Sequence, residues 1–310
     1  MKLDEAYQIY YQQLSVNENR SLATLRSYES ELTQYLAFLK NKDVADMREI
    51  SHEILQEYVF TSMKTKKVRS VAHSLSVIRG FHAHIHQLYP EINDPSLKVR
   101  VHHPEKSLPK YFSESELEKL FDYFKDDDKG ILAKAMFEMI YACGLRVSEL
   151  CALTFNQLNV ENRMLRVLGK GNKERLVPIS SYSLTVLNEY LKIRPSRDKY
   201  HSPLIFINKK GKPVSRQSVW RMLHEALLAS GANVSFSPHT LRHTFATDLL
   251  ANGADLRSVQ ELLGHSSIAT TQIYTHVQRK QLTSAYDRFF PTHHSEPEKT
   301  EKKGEEDDSK

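Results

Sequence analysis

At 310 residues, 40% of them apolar, the chain has material for two domains with real cores, and it holds no apolar run long enough to cross a bilayer. Its two cysteines, Cys143 and Cys151, both stand in apolar helical text, which excludes a disulfide framework and argues against a cysteine-held zinc. The formal net charge of +5 is uneven: +1 over residues 1–107, +7 over 108–291 and −3 over 292–310, so the basic excess lies in one segment, as a phosphate-neutralising surface requires. The opening Met1-Lys2-Leu3-Asp4-Glu5 lacks the cationic-then-apolar layout of a signal peptide, and a cytoplasmic protein with no membrane partner is expected.

In chain order, Leu25, Tyr28, Leu32, Tyr35, Leu36 and Leu39 recur at helical spacing and predict one amphipathic helix. Ile54, Leu55, Tyr58 and Val59 predict a second, and Val68, Val71, Leu75, Ile78, Ile85 and Tyr89 a longer third. The first hundred residues are thus expected to be all-helical. Lys64, Lys66, Lys67 and Arg69 lead into the third helix. Such a run is usually a solvated face, but in a nearly neutral domain Lys66, Lys67 and Arg69 are candidates for contact with DNA phosphates. His82 and His86 lie four apart without the enclosed glutamate of a zinc hydrolase, and His82 continues the apolar stripe as a core residue. Between Tyr89 and Pro109 the prolines Pro90, Pro95, Pro104 and Pro109 mark a linker.

A second domain begins at about residue 108. Ser113 and Glu116 form a capping-box pattern, with Phe112 and Leu117 as its hydrophobic staple and Leu117, Leu120, Phe121 and Phe124 as the buried stripe. Ile131, Leu132, Ala135, Met136, Met139 and Ile140 build the next helix, which stops at Gly144 and leaves Arg146 in the turn before another helix. Glu149, one turn further on, is placed to orient Arg146 or to cap. The stretch from Arg163 to Ile179 reads as a hairpin around Gly169-Lys170-Gly171-Asn172, with Lys170 at its tip. A phosphate-binding Walker loop would need glycine where Met164 stands and Ser or Thr where Gly171 stands, so no nucleotide site follows.

Ser237 reads as an N-cap and Pro238 as the first helical residue, which sets His239 and Arg242 three apart on the early turns of a helix, where amides and dipole attract anions. That helix buries Leu241, Phe245 and Leu249 and ends at Gly253; its neighbour starts at the cap Asp255, buries Leu256, Val259, Leu262 and Leu263, and ends at Gly264, delivering His265 at its tip. Tyr274 follows, then the aromatic amphipathic stretch Leu282, Ala285, Tyr286, Phe289 and Phe290. Residues 292–310 contain no apolar side chain to bury and are expected to be disordered. Taken singly, His239, His265, Arg242, Tyr274 and Lys170 have ordinary structural readings, and His243 faces away from Arg242. Together they match one chemistry, because a transferring phosphoryl group needs cations on its nonbridging oxygens, an in-line nucleophile and a proton donor for the leaving oxygen. Arg146 and Arg242 can supply the charge, Lys170 the proton and Tyr274 the nucleophile.

The set resembles the tyrosine site-specific recombinases of the λ-integrase family, most closely the Xer recombinases. The family's Arg, Lys, His-x-x-Arg, His and Tyr positions fall, in order, on Arg146, Lys170, His239, Arg242, His265 and Tyr274. The wording around them matches too, in Gly144-Leu-Arg-Val-Ser-Glu-Leu150, Gly169-Lys-Gly-Asn-Lys-Glu-Arg175, Pro238-His-Thr-Leu-Arg-His-Thr-Phe245 and Leu263-Gly-His-Ser-Ser-Ile268. The resemblance implies a mainly α, two-domain fold: an all-helical, SAM-like DNA-binding domain with linker over 1–107, a helical catalytic domain with a small antiparallel β-sheet over 108–291, and an acidic tail over 292–310. It implies that the two domains close on a duplex as a C-shaped clamp.

It further implies attack by Tyr274 to give a 3′-phosphotyrosyl bond, with Lys170 protonating the 5′-hydroxyl, His239 assisting proton removal, His265 donating to a nonbridging oxygen, and neither metal nor ATP nor any other cofactor. The implied partners are a double-stranded DNA recombination site and a homo- or hetero-tetramer on two duplexes, in which the C-terminal helix docks on a neighbouring protomer. Chromosome or plasmid dimer resolution is the expected role, with a mobile-element integrase or excisionase, or a topoisomerase-like nicking and rejoining enzyme, as alternatives.

Overall fold

The structure, a computed structural model, describes residues 1–17, 22–101, 110–169, 174–196, 198, 201–264 and 286–290. The chain divides into two compact units, Met1–Leu108 and Pro109–Lys310. Among the described residues no helix is long and apolar enough to cross a membrane.

The first unit is helical: α1 (Leu3–Gln12), α2 (Leu22–Lys40), α3 (His52–Thr65) and α4 (Val68–Leu88). Helix α4 is the centre, touching the other three, because its apolar residues Val71, Leu75, Ile78, Phe81 and Ile85 recur at helical spacing and are all buried. Against them lie Leu32, Tyr35 and Leu39 of α2 and Leu55, Tyr58 and Val59 of α3. The three helices read from the sequence are present, and α1 is an addition. Lys2 precedes it with no side-chain cap, so its start carries no local signal; its buried Leu3, Ala6 and Tyr10 do carry the helical spacing. His82 is a core residue as expected, 1% exposed, with Tyr35 Oη 2.9 Å from its Nε2.

The second unit is built on α6 (Asp128–Ala142), which is buried along most of its length and packs on α8 (Ser181–Ile193) and α10 (Pro238–Ala251). Helix α5 (Glu114–Asp122) covers one side; the Glu116 carboxylate accepts from both the amide and the hydroxyl of Ser113, at 2.9 and 2.8 Å. After α6 comes the short α7 (Val147–Cys151), then a three-stranded antiparallel sheet in the order β1 (Leu158–Asn159), β2 (Met164–Leu168), β3 (Glu174–Pro178). The hairpin register runs from Met164 opposite Pro178 to Leu168 opposite Glu174.

Helix α9 (Arg216–Ser230) stops at left-handed Gly231, and α11 (Leu256–Leu263) stops at left-handed Gly264. The caps of the last two helices are those read from the sequence: Ser237 Oγ accepts from the Thr240 amide at 3.3 Å and Asp255 from the Ser258 amide at 2.9 Å.

The stretch expected to dock on a neighbouring protomer is described for residues 286–290, and in the single chain those residues pack on their own unit. Tyr286 Oη donates to the Ala142 carbonyl at 2.8 Å, and the Phe290 ring lies 5.1 Å from Tyr141 and 6.0 Å from Phe245. The physical reason is burial: Tyr286 and Phe290 are 3% and 7% exposed there. Leu282 and Ala285 lie outside the described residues, as does the acidic tail over 292–310.

Candidate active site

The site begins where α6 ends. Gly144 takes the left-handed conformation (φ 54°) that turns the chain out of the helix, and a Cβ there would stand 2.6 Å from Cδ1 of Phe245, so the position is closed to any side chain. Two residues later Arg146 holds the N-cap position of α7. Its amide donates to Glu149 Oε2 at 2.8 Å and its Nη1 to Oε1 at 2.8 Å, so Glu149 both caps the helix and orients the guanidinium. The Glu149 side chain is 6% exposed and that of Arg146 is 35% exposed, which leaves the arginine able to reach an outside anion.

Arg242 arrives from the second turn of α10, and its Nη1 lies 3.6 Å from Glu149 Oε2. The same Nη1 donates to the Gly144 carbonyl, and Nη2 donates to the Leu263 carbonyl at 2.5 Å. One guanidinium therefore ties the end of α6 to the end of α11. A third arginine completes the cluster. Arg175 of β3 grips Glu149 with both nitrogens, Nη1 to Oε1 at 2.9 Å and Nη2 to Oε2 at 2.8 Å, while its Nε donates to the Leu262 carbonyl at 2.7 Å.

Three guanidiniums against one carboxylate leave a formal excess of two positive charges, which is what a phosphate-binding centre needs. Burial pushes the Glu149 carboxyl up, but the hydrogen bonds and charge of Arg175, joined by those of Arg146, outweigh it and hold the pKa below the usual value. Burial, then the charges of Arg146 and Arg175, press Arg242 down to about 9, still above neutrality, so it stays charged.

His239 is exposed in the first turn of α10, three residues before Arg242. Lys170, His265 and Tyr274 lie outside the described residues, although β2 and β3, which flank the first, and α11, which precedes the others, are described. In the first unit, Lys67 and Arg69 are exposed at the start of α4, whereas Lys66 is half-buried and paired with Glu31 at 3.2 Å. Among the described residues no group of three or more His, Cys, Asp or Glu is gathered as a metal would require.

Sequence reasoning found Arg146, Glu149 and Arg242 and missed Arg175. The signal was there: it pairs with Val167 across the hairpin and alternates inward with Val177, so a charge stands where the strand pattern asks for an apolar residue.

The sequence fits the Phage integrase family over residues 110–281 and the Phage integrase, N-terminal SAM-like domain over residues 8–87. It is 37% identical over 284 residues to the tyrosine recombinase XerD of Listeria monocytogenes, covering 90% of this chain and 96% of that protein. It is 35% identical over 294 residues to the tyrosine recombinase XerD of Oceanobacillus iheyensis, covering 93% and 99%. A lambda integrase tetramer, solved bound to a Holliday junction, shares the fold with a TM-score of 0.68 at 17% identity, over 92% of this chain and 78% of that one.

Proposed function

The chain belongs to the phage integrase family of tyrosine recombinases, and on that premise we propose that its arginine cluster binds the scissile phosphate of a DNA recombination site and that Tyr274 cleaves it. The observation that carries this reading is the convergence of Arg146 and Arg242, from different elements, on the buried carboxylate of Glu149. Two cations fixed in advance at one point stabilise the charge that develops on a pentacoordinate phosphoryl group without reorganising during the reaction.

Tyr274 Oη forms a bond to phosphorus as the bond from phosphorus to the 5′-oxygen breaks, giving a 3′-phosphotyrosyl linkage. The tyrosine proton passes toward His239, Lys170 supplies a proton to the departing 5′-oxygen, and His265 donates to a nonbridging oxygen. A 5′-hydroxyl from another strand then reverses the step, so the energy of the phosphodiester is retained and no ATP is consumed. Lys67 and Arg69, with Lys66 behind its ion pair, contact backbone phosphates from the first unit. Exchange joins two duplexes through a tetramer of this chain, alone or with a second recombinase, with the C-terminal stretch moving onto a neighbouring protomer. The role is resolution of chromosome or plasmid dimers in the cytoplasm.

The test is recombination between two duplex sites in EDTA without nucleotide. Recombinant junctions are the expected product, because guanidiniums replace a metal in charge stabilisation. Relaxation of supercoils without junctions, or cleavage that strictly needs a divalent ion, contradicts the proposal.

A further inference from the structure

Arg175 takes no part in the chemistry set out above, and we propose that it is a positioning residue for it: by neutralising Glu149, it leaves the charges of Arg146 and Arg242 free for the phosphate. The inference rests on the reading of those two arginines as the phosphate-binding pair.

A carboxylate has one negative charge to share. Glu149 has Arg146 at 2.8 Å, Arg242 at 3.6 Å and both nitrogens of Arg175 at 2.8 and 2.9 Å. The fork of Arg175 is the one with matched two-point geometry, and it is nearly as buried as its partner, at 7% and 6% side-chain exposure. In that dry setting the pair is mutually compensated, and the contact to Arg146 can orient that arginine without consuming its charge. Without Arg175, the Glu149 charge falls on Arg146 and Arg242, and a guanidinium already held by a carboxylate is a weaker partner for charge developing on phosphorus.

A second observation places Arg175 at the centre of the site's geometry. Its Nε holds the Leu262 carbonyl while Arg242 holds that of Leu263, so both arginines fix the end of α11. Gly264 comes next at φ 66°, and a Cβ there would lie 3.0 Å from Arg175 Cδ, within the space its methylene fills. One guanidinium thus registers β3, α7 and α11 to each other, and these are the elements that carry Glu149 and lead to Lys170 and His265.

A purely structural arginine would affect stability and add its cost to that of any other change. A charge-balancing one has a different signature, read by single-turnover cleavage of a nicked duplex at saturating protein, with DNA affinity and thermal melting measured alongside. Arg175→Gln is expected to slow cleavage about 10- to 100-fold, the range typical when a group that orients a primary ligand is removed, with affinity unchanged. The double substitution Arg175→Gln with Glu149→Gln removes the carboxylate together with its neutraliser and is expected to cleave faster than Arg175→Gln alone. Arg175→Lys, with charge but no fork, is expected to fall between wild type and Arg175→Gln.

Cleavage by Arg175→Gln at the wild-type rate, or a double variant as slow as or slower than that single one, overturns the inference. Should Arg175→Gln fail to fold, Arg175→Lys carries the test: slower cleavage at unchanged affinity supports the role, and the wild-type rate overturns it. Arg146→Ala and Tyr274→Phe on the same substrate keep the two levels apart. If they cleave normally, the reading of the site itself is wrong; if they are inactive while Arg175→Gln is unaffected, only the role of Arg175 falls.

Discussion

Glu149 shows how much a single buried acid can organise. It caps α7 through the Arg146 amide, aims the Arg146 side chain and accepts the fork of Arg175, and its charge is tolerable in the interior only because cations surround it. Arg146, Glu149 and Arg242 were legible because each sits beside a helix terminus, where a glycine, a cap or a proline announces the geometry. Arg175 is visible in the strand pattern as a charge at an inward position, but its role is not, because that depends on a partner 26 residues away that no local pattern names. His82 gives the opposite case, a histidine whose bland reading holds. Burial, outweighing the attraction of Asp94, lowers its pKa from 6.5 to about 4. Between those values the unfolded chain binds a proton that the folded chain does not, so this contribution is intact above about pH 6.5 and is lost as pH falls toward 4, by about 3 kcal/mol. Denaturant titrations of the full chain at stepped pH, compared with His82→Gln, measure it. The variant is expected to lose less stability over that window, and an identical pH dependence would show that His82 does not carry it.

At the scale of elements, the sequence is clearest where helix ends are chemically marked. Helices α10 and α11 begin at Ser237 and Asp255 and end near Gly253 and Gly264, as their residues foretell, because caps and left-handed glycines act locally. The hairpin was legible for the same reason, its glycine-rich sequence lying between two β-rich runs. Helices α8 and α9, absent from the sequence reading, begin in the same way, with Ser180 and Ser215 as their caps. Strand β1, two residues long, has no periodicity to detect and exists because β2 offers it an edge. Residues 286–290 show that an amphipathic pattern reports that a face will be buried, not against which chain. Tyr286 and Phe290 find their bed on α6 and α10 of the same chain.

For the whole molecule, the distribution of charge matters more than its sum. The first unit is nearly neutral, its cations Lys67 and Arg69 are exposed at the start of α4, and Lys66 is already paired with Glu31. Each phosphate contact releases counterions, so Lys67→Ala and Arg69→Ala are each expected to lower the slope of log affinity against log salt by about 0.9, and Lys66→Ala by less than either. An unchanged slope in the Lys67 and Arg69 variants would return the run to a solvated face. The proposed mechanism has one tyrosine of this chain covalently bonded to a DNA 3′-phosphate, a bond that can be trapped. A duplex nicked next to the scissile position lets the short 5′-hydroxyl strand diffuse away, leaving any protein adduct unable to reverse, and protease digestion with mass spectrometry then locates it. The 3′-phosphate is expected on Tyr274, with no adduct from Tyr274→Phe although that variant still binds the site; attachment to a 5′-phosphate, to a different residue, or persistence of the adduct in Tyr274→Phe would contradict the mechanism.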